Sequence, residues 1–122
     1  MNKIAVLVAG MVFATGAAAE DCTAPEAPSL PEGASSTMEQ MLEGQKAVKA
    51  FQAANLEYMG CLEARFTAAE ESAKTGSDEE KAAAQEEYNE SMNAYNAAVS
   101  KEEEVAGKFN SEIREYKAAN PG

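Results

Sequence analysis

Between residues 88 and 116 the chain repeats its apolar side chains at alternating steps of four and three. Tyr88, Met92, Tyr95, Val99, Glu102, Ala106, Phe109, Ile113 and Tyr116 fall on the repeat, and all but Glu102 are apolar or aromatic. Glutamate, lysine, asparagine and serine dominate the positions between them. This spacing lines one narrow seam along a helix, and such a seam is buried against a second helix.

The second helix is written upstream. Ser36-Thr37-Met38-Glu39 has the form of a capping box, in which the Ser36 hydroxyl takes the Glu39 amide and Glu39 reaches back. A helix is expected from residue 36 to about residue 74, ending before Thr75-Gly76, where glycine permits a left-handed cap. One stripe along it steps four and three: Met41, Gln45, Val48, Gln52, Asn55, Met59, Leu62, Phe66, Ala69, Ala73. A second stripe, displaced to one side, holds Ala47, Phe51, Ala54, Tyr58 and Cys61.

Ser77-Asp78-Glu79-Glu80 is another capping box, and its acids suit the positive end of a helix dipole. The later helix should run from 77 to about 119, with Arg114 and Lys117 near its negative end and Asn120-Pro121-Gly122 beyond. A link as short as Thr75-Gly76 makes the two helices antiparallel, with facing residue numbers summing to roughly 151. That register sets Leu62 against Tyr88 and Met92, and Val48 against Ala106. It also brings Asn55 level with Asn96, Glu102 with Lys49, and Gly44 with Gly107, where the helices are expected to approach closely.

Residues 20–35 form a proline-rich arm in which Cys22, Pro25, Pro28 and Pro31 recur at every third position. A polyproline II helix has about three residues per turn, so all four would share one face. The arm from Cys22 to Ser36 spans ~43 Å at ~3.1 Å per residue, and Ser36 to Cys61 spans ~38 Å of α-helix. The lengths nearly match. The arm is therefore expected to fold back antiparallel along the Ala47–Cys61 stripe of the first helix, clasped by a Cys22–Cys61 disulfide. Pairing between chains, or a metal, is the alternative use of the two cysteines. With no histidine and no third cysteine, tetrahedral zinc lacks its ligands.

Ahead of the arm, Lys3 gives a positive start, residues 4–13 are apolar, and Ala17-Ala18-Ala19 offers a cleavage site. Residues 1–19 read as a secretory signal peptide, cleaved near Ala19, rather than as a membrane anchor. Cys22 follows Glu20-Asp21 and lacks the small residue that lipoprotein processing needs. The expected location is periplasmic or secreted, where an oxidising medium supports the disulfide.

Cleavage removes only Lys3 among the charges, moving the net charge from −11 by one unit to −12. Phosphate backbones and anionic lipids repel such a chain, which argues against nucleic-acid binding and membrane insertion after cleavage. The acids at 70–71, 78–80, 86–87 and 102–104 are expected to form a solvated face. Acid–base chemistry would need a concave site that separates their pKa values, and a slender hairpin supplies none. The acids near the turn do not follow the calcium-loop pattern. With no nucleophile motif and no phosphate loop, the reading is a non-enzyme with no catalytic, cofactor or metal residues and no cofactor.

Cys22-Thr23-Ala24-Pro25, then Pro31-Glu32-Gly33-Ala34, and Tyr58-Met59-Gly60-Cys61-Leu62 resemble a group of small secreted proteobacterial proteins of unknown function. These share a C-x-x-P…P-x-G-A start and a helical Y-x-x-C-L segment. The resemblance covers about residues 22–63 and implies a bacterial periplasmic or secreted location, without an activity.

The expectation is an all-α, coiled-coil-like antiparallel two-helix hairpin with a disulfide-stapled arm. One buried strip per helix makes a hairpin marginal alone. The staple closes a loop of about 40 residues, adding roughly 3–4 kcal/mol, and a homodimer would bury more. The expected role is binding a protein partner as an envelope accessory protein. The alternative is an acidic holdase-like chaperone or an inhibitor of basic clients.

Overall fold

The computed structural model describes residues 22–122; the expected signal peptide, with Glu20 and Asp21, lies outside the described residues. A 3-10 turn, Gly33–Ser35, precedes two helices, α1 (Met38–Thr75) and α2 (Asp78–Ala119). The helices pack together as an all-α hairpin, with limits within about two residues of the expected ones.

The capping chemistry differs at α1. Thr37, not Ser36, is the N-cap: its Oγ1 accepts the Gln40 N–H at 3.2 Å, and its own N–H donates to Gln40 Oε1 at 2.8 Å. Ser36 instead donates its hydroxyl to the Glu32 carbonyl at 2.6 Å, where the Ser35 N–H also donates. The sequence holds two overlapping boxes, and the turn before the helix engages the first serine. At α2 the expected box forms, with Ser77 Oγ accepting from the Glu80 N–H at 3.3 Å and the Ser77 N–H donating to Glu80 Oε2 at 3.2 Å. Gly76 is extended (φ −84°, ψ 174°) rather than left-handed, because the chain passes directly into the extended N-cap Ser77.

The antiparallel register is fixed by two side-chain bonds. Asn55 Nδ2 donates to the Ala98 carbonyl at 3.0 Å, and Arg65 Nε donates to Glu87 Oε1 at 2.7 Å. Both lie within about two residues of the expected register. That small shift takes Asn55 past Asn96, which is exposed. Lys49 is exposed, and it forms no ion pair with half-buried Glu102 among the described residues.

The seam on α2 is rotated from the one expected. Its buried residues are Ala84, Ser91, Ala98, Val105 and Phe109. Together with half-buried Tyr88, Tyr95 and Glu102 they again step by three and four. The column of Tyr88, Tyr95, Glu102 and Phe109 belongs to both patterns. Met92, Val99, Ala106 and Ile113 lie on its far side and are only half-buried, and of these Ile113 packs against the main core cluster. Small side chains let two helices approach, so alanine and serine are covered completely while bulkier neighbours flank the contact. On α1, Phe51, expected under the arm, is part of the contact with α2. It joins Met41, Val48, Val105 and Phe109 in the main core cluster. Gln45 is exposed and Gly44, one residue earlier, is buried in its place. Toward the turn, Phe66 makes T-shaped contacts with Tyr88 and Tyr95, with ring centroids 6.0 and 5.9 Å apart.

The arm runs antiparallel to α1. Its cysteine is bonded to Cys61, with Cα atoms 5.7 Å apart. Cys22, Pro25, Pro28 and Pro31 are half-buried, and the residues between them are exposed except Leu30. The every-third pattern is thus realised, but the arm does not lie on α1 alone. Leu30 packs against the main core cluster, and the 3-10 turn seats on α2. Phe51 sits in the core between the helices, so the arm meets a cluster shared by both helices rather than a stripe of α1 alone.

Gly44 has a different partner from the one expected. A Cβ there would stand 2.7 Å from Pro31 Cδ and 3.1 Å from Phe109 Cε2, whereas Gly107 is exposed with open space around it. The close approach is between the arm and α1, not between the two helices at their glycines.

Candidate binding surface

Both cysteines singled out in the sequence are brought together, and they hold the Cys22 end of the arm against α1. The other end is held by backbone geometry. Glu112 Oε2 accepts the Gly33 N–H at 2.6 Å. A Cβ on Gly33 would fall 1.8 Å from the Glu112 carbonyl oxygen, so the turn rests directly on the α2 main chain. Two open clefts flank this junction. One, of about 530 Å³, lies on the α1 side between Pro31 and Gly44; the other, of about 560 Å³, lies between Leu30, Lys108 and Glu112. They are grooves left where an extended segment crosses helices.

The acidic runs are distributed along the outer surfaces. Glu87 pairs with Arg65, Lys74 lies 3.8 Å from Glu70 and 4.0 Å from Glu71, and Glu80 caps α2. Glu104 accepts from Lys108 at 2.9 Å and from Lys101 at 3.4 Å. The bond from Lys108, then that from Lys101, holds the Glu104 carboxyl below its usual range. In full solvent such pairs are screened and contribute little to stability. Among the described residues, no group of three His, Cys, Asp or Glu side chains is placed to hold a metal ion. No helix there is long and apolar enough to cross a membrane.

The sequence reading passed over three side chains that the structure sets apart. Met38, Leu42 and Leu56 on α1 are large, apolar and 57%, 50% and 68% exposed. At 100° per residue they lie on the flank of α1 opposite Ala47, Tyr58 and Cys61, hence on the face turned away from the arm. Met92, Val99, Ala106 and Ile113 border the same face from α2. The signal was present in their mutual spacing of four and then fourteen residues, two whole heptads, but polar Gln45 and Lys49 fall between Leu42 and Leu56.

The chain matches no protein-family model, no curated protein and no solved structure.

Proposed function

We propose that this protein is a non-catalytic helical binding module, exported to the periplasm or secreted, that acts as an envelope accessory protein. The observation that carries the reading is the exposure of Met38, Leu42 and Leu56 on one flank of a long helix. Large apolar side chains gathered on one surface favour contact with another protein, since covering them releases water. The Cys22–Cys61 disulfide fits an oxidising compartment, and the proteobacterial resemblance points the same way.

The test is a photo-crosslinking amino acid at Leu56 in the native envelope, with the same probe at exposed Glu115 as the control. Capture of one reproducible protein at Leu56 but not at Glu115 supports the reading. Equal labelling at both positions contradicts it.

A holdase that clamps basic clients is the second reading, favoured by the excess of 21 acidic over 10 basic residues. Its capture of unfolded cationic proteins would fall steeply as salt shortens the range of the charges. Capture indifferent to salt counts against it.

A further inference from the structure

We propose that the face opposite the arm is a self-association surface, on which two copies of the chain stack to form a four-helix bundle with the arms outside. The proposal rests on the reading of this face as a binding surface and names its occupant.

Four observations lead to a second copy. First, α2 carries two seams that share one column. Ala84, Ser91, Ala98 and Val105 face α1, while Met92, Val99 and Ala106 repeat at seven-residue steps on the other side of Tyr88, Tyr95 and Phe109, the series ending at Ile113, which packs against the hairpin's own core cluster. A helix with two adjoining apolar seams is suited to two helical neighbours, and the hairpin provides one.

Second, the two halves of the face coincide in height. The exposed stripe on α1 runs from Met38 through Leu42, Ala53 and Leu56 to Gly60. In the register set by Asn55–Ala98 and Arg65–Glu87, that span lies beside 92–113 of α2. The two sets therefore lie side by side over the same length of the hairpin, with exposed Gln45 and Lys49 between Leu42 and Leu56.

Third, its size fits. About 22 residues of helix are ~33 Å long, and two adjacent helices are ~20 Å wide, which gives roughly 650 Å² per copy. The pair would bury about 1,300 Å², inside the range of roughly 1,200–2,000 Å² for specific interfaces.

Fourth, the charges are self-complementary. A chain of net charge −11 repels its own copy, so a pair can meet only where carboxylates are sparse. The patch has Lys49 on its α1 half and Glu103 on its α2 half, both exposed and neither ion-paired among the described residues. They stand at the same level of the hairpin. A twofold axis along the helices preserves level while laying α1 of one copy over α2 of the other. Lys49 then meets Glu103 of the partner subunit at two symmetric places. The same operation lays Leu42 over the Ala106–Ile113 stretch and Leu56 beside Val99. A basic partner would be drawn instead to the carboxylate-rich outer faces.

The test is sedimentation equilibrium of the purified protein over a range of concentrations, with helicity followed by circular dichroism. The expected result is a monomer–dimer equilibrium. Leu56→Glu should weaken it at least tenfold at unchanged helicity, since that side chain is already 68% exposed. Lys49→Glu and Glu103→Lys should each weaken it, and the double exchange should restore it. A monomer at all concentrations overturns the proposal, as does a dimer indifferent to Leu56→Glu or a charge exchange without rescue. A monomer whose Leu56 probe captures a different protein overturns self-association while leaving the binding reading in place.

Discussion

Glu112 accepts the backbone N–H of Gly33 at 2.6 Å, joining the end of the arm to the last third of α2 across 79 positions of sequence. The contact is made possible by the missing side chain at Gly33, which lets the turn rest on the α2 main chain. Gly33→Ala must push the two apart, at a cost of about 1–3 kcal/mol. Glu112→Gln keeps an oxygen acceptor and should cost less, since only the charge assistance is lost. Thermal unfolding of the two variants checks the order.

The staple at the other end of the arm gives a larger effect. Cys22 and Cys61 are separated by 39 positions, and releasing a loop of that size restores roughly 3–4 kcal/mol of chain entropy to the unfolded state. For a domain of about 100 residues this lowers the melting temperature on the order of 15 °C. Cys61→Ala and treatment of the native protein with a reductant should give the same loss. A melting temperature unmoved by either contradicts a stapling role.

How much of this was legible in the sequence depended on what each feature required. The hairpin and the Ser77 cap follow from local patterns that no distant contact alters, and the disulfide from the matched lengths of the arm and the first part of α1. The every-third burial of Cys22, Pro25, Pro28 and Pro31 is equally local. The side of α2 that faces α1 was not legible, because the column of Tyr88, Tyr95 and Phe109 supports a step of three or of four equally well. Hydropathy favours Met92, Val99 and Ile113; close packing of two helices favours Ser91 and Ala98. Phe51 was expected under the arm, and a side chain that large also reaches the core between the helices. Met38, Leu42 and Leu56 escaped notice because a search for the core discards apolar residues that do not join it.

Ser91 is a place where packing overrode polarity. It is 2% exposed, and its hydroxyl oxygen has no hydrogen-bond partner. A buried unpaired hydroxyl costs about 1–3 kcal/mol, and the equivalent seam positions a heptad away are Ala84 and Ala98. Ser91→Ala should therefore raise stability, by about 1 kcal/mol after the loss of packed volume. Denaturant titration reads the change as a higher midpoint at constant slope.

The carboxyl of Glu104 provides a local pH readout. Lys108 and Lys101 favour its charged form and depress its folded-state pKa. The stabilisation is present above the unfolded-state value and is lost as pH falls through the depressed folded-state value. Carboxyl NMR titration should place Glu104 below exposed, unpaired glutamates of the chain, with the difference shrinking in high salt. Lys108→Ala should raise it part of the way, leaving the contribution of Lys101 in place.

Neighbouring substitutions on α2 separate its two seams. Val105 is 4% exposed within the core cluster of Phe51 and Phe109, whereas Ala106 is half-buried on the face away from the arm. Val105→Asp buries an unpaired charge among apolar side chains, a change that costs several kcal/mol and should unfold the hairpin at ambient temperature. Ala106→Asp places the same carboxylate one residue further round the helix, where water can reach it. It should leave the far-ultraviolet circular dichroism of the hairpin intact and lower its melting temperature by only a few degrees. The reverse order, with Ala106→Asp unfolding and Val105→Asp tolerated, would mean that α2 is turned by 100° and that Met92 and Val99 form the contact with α1.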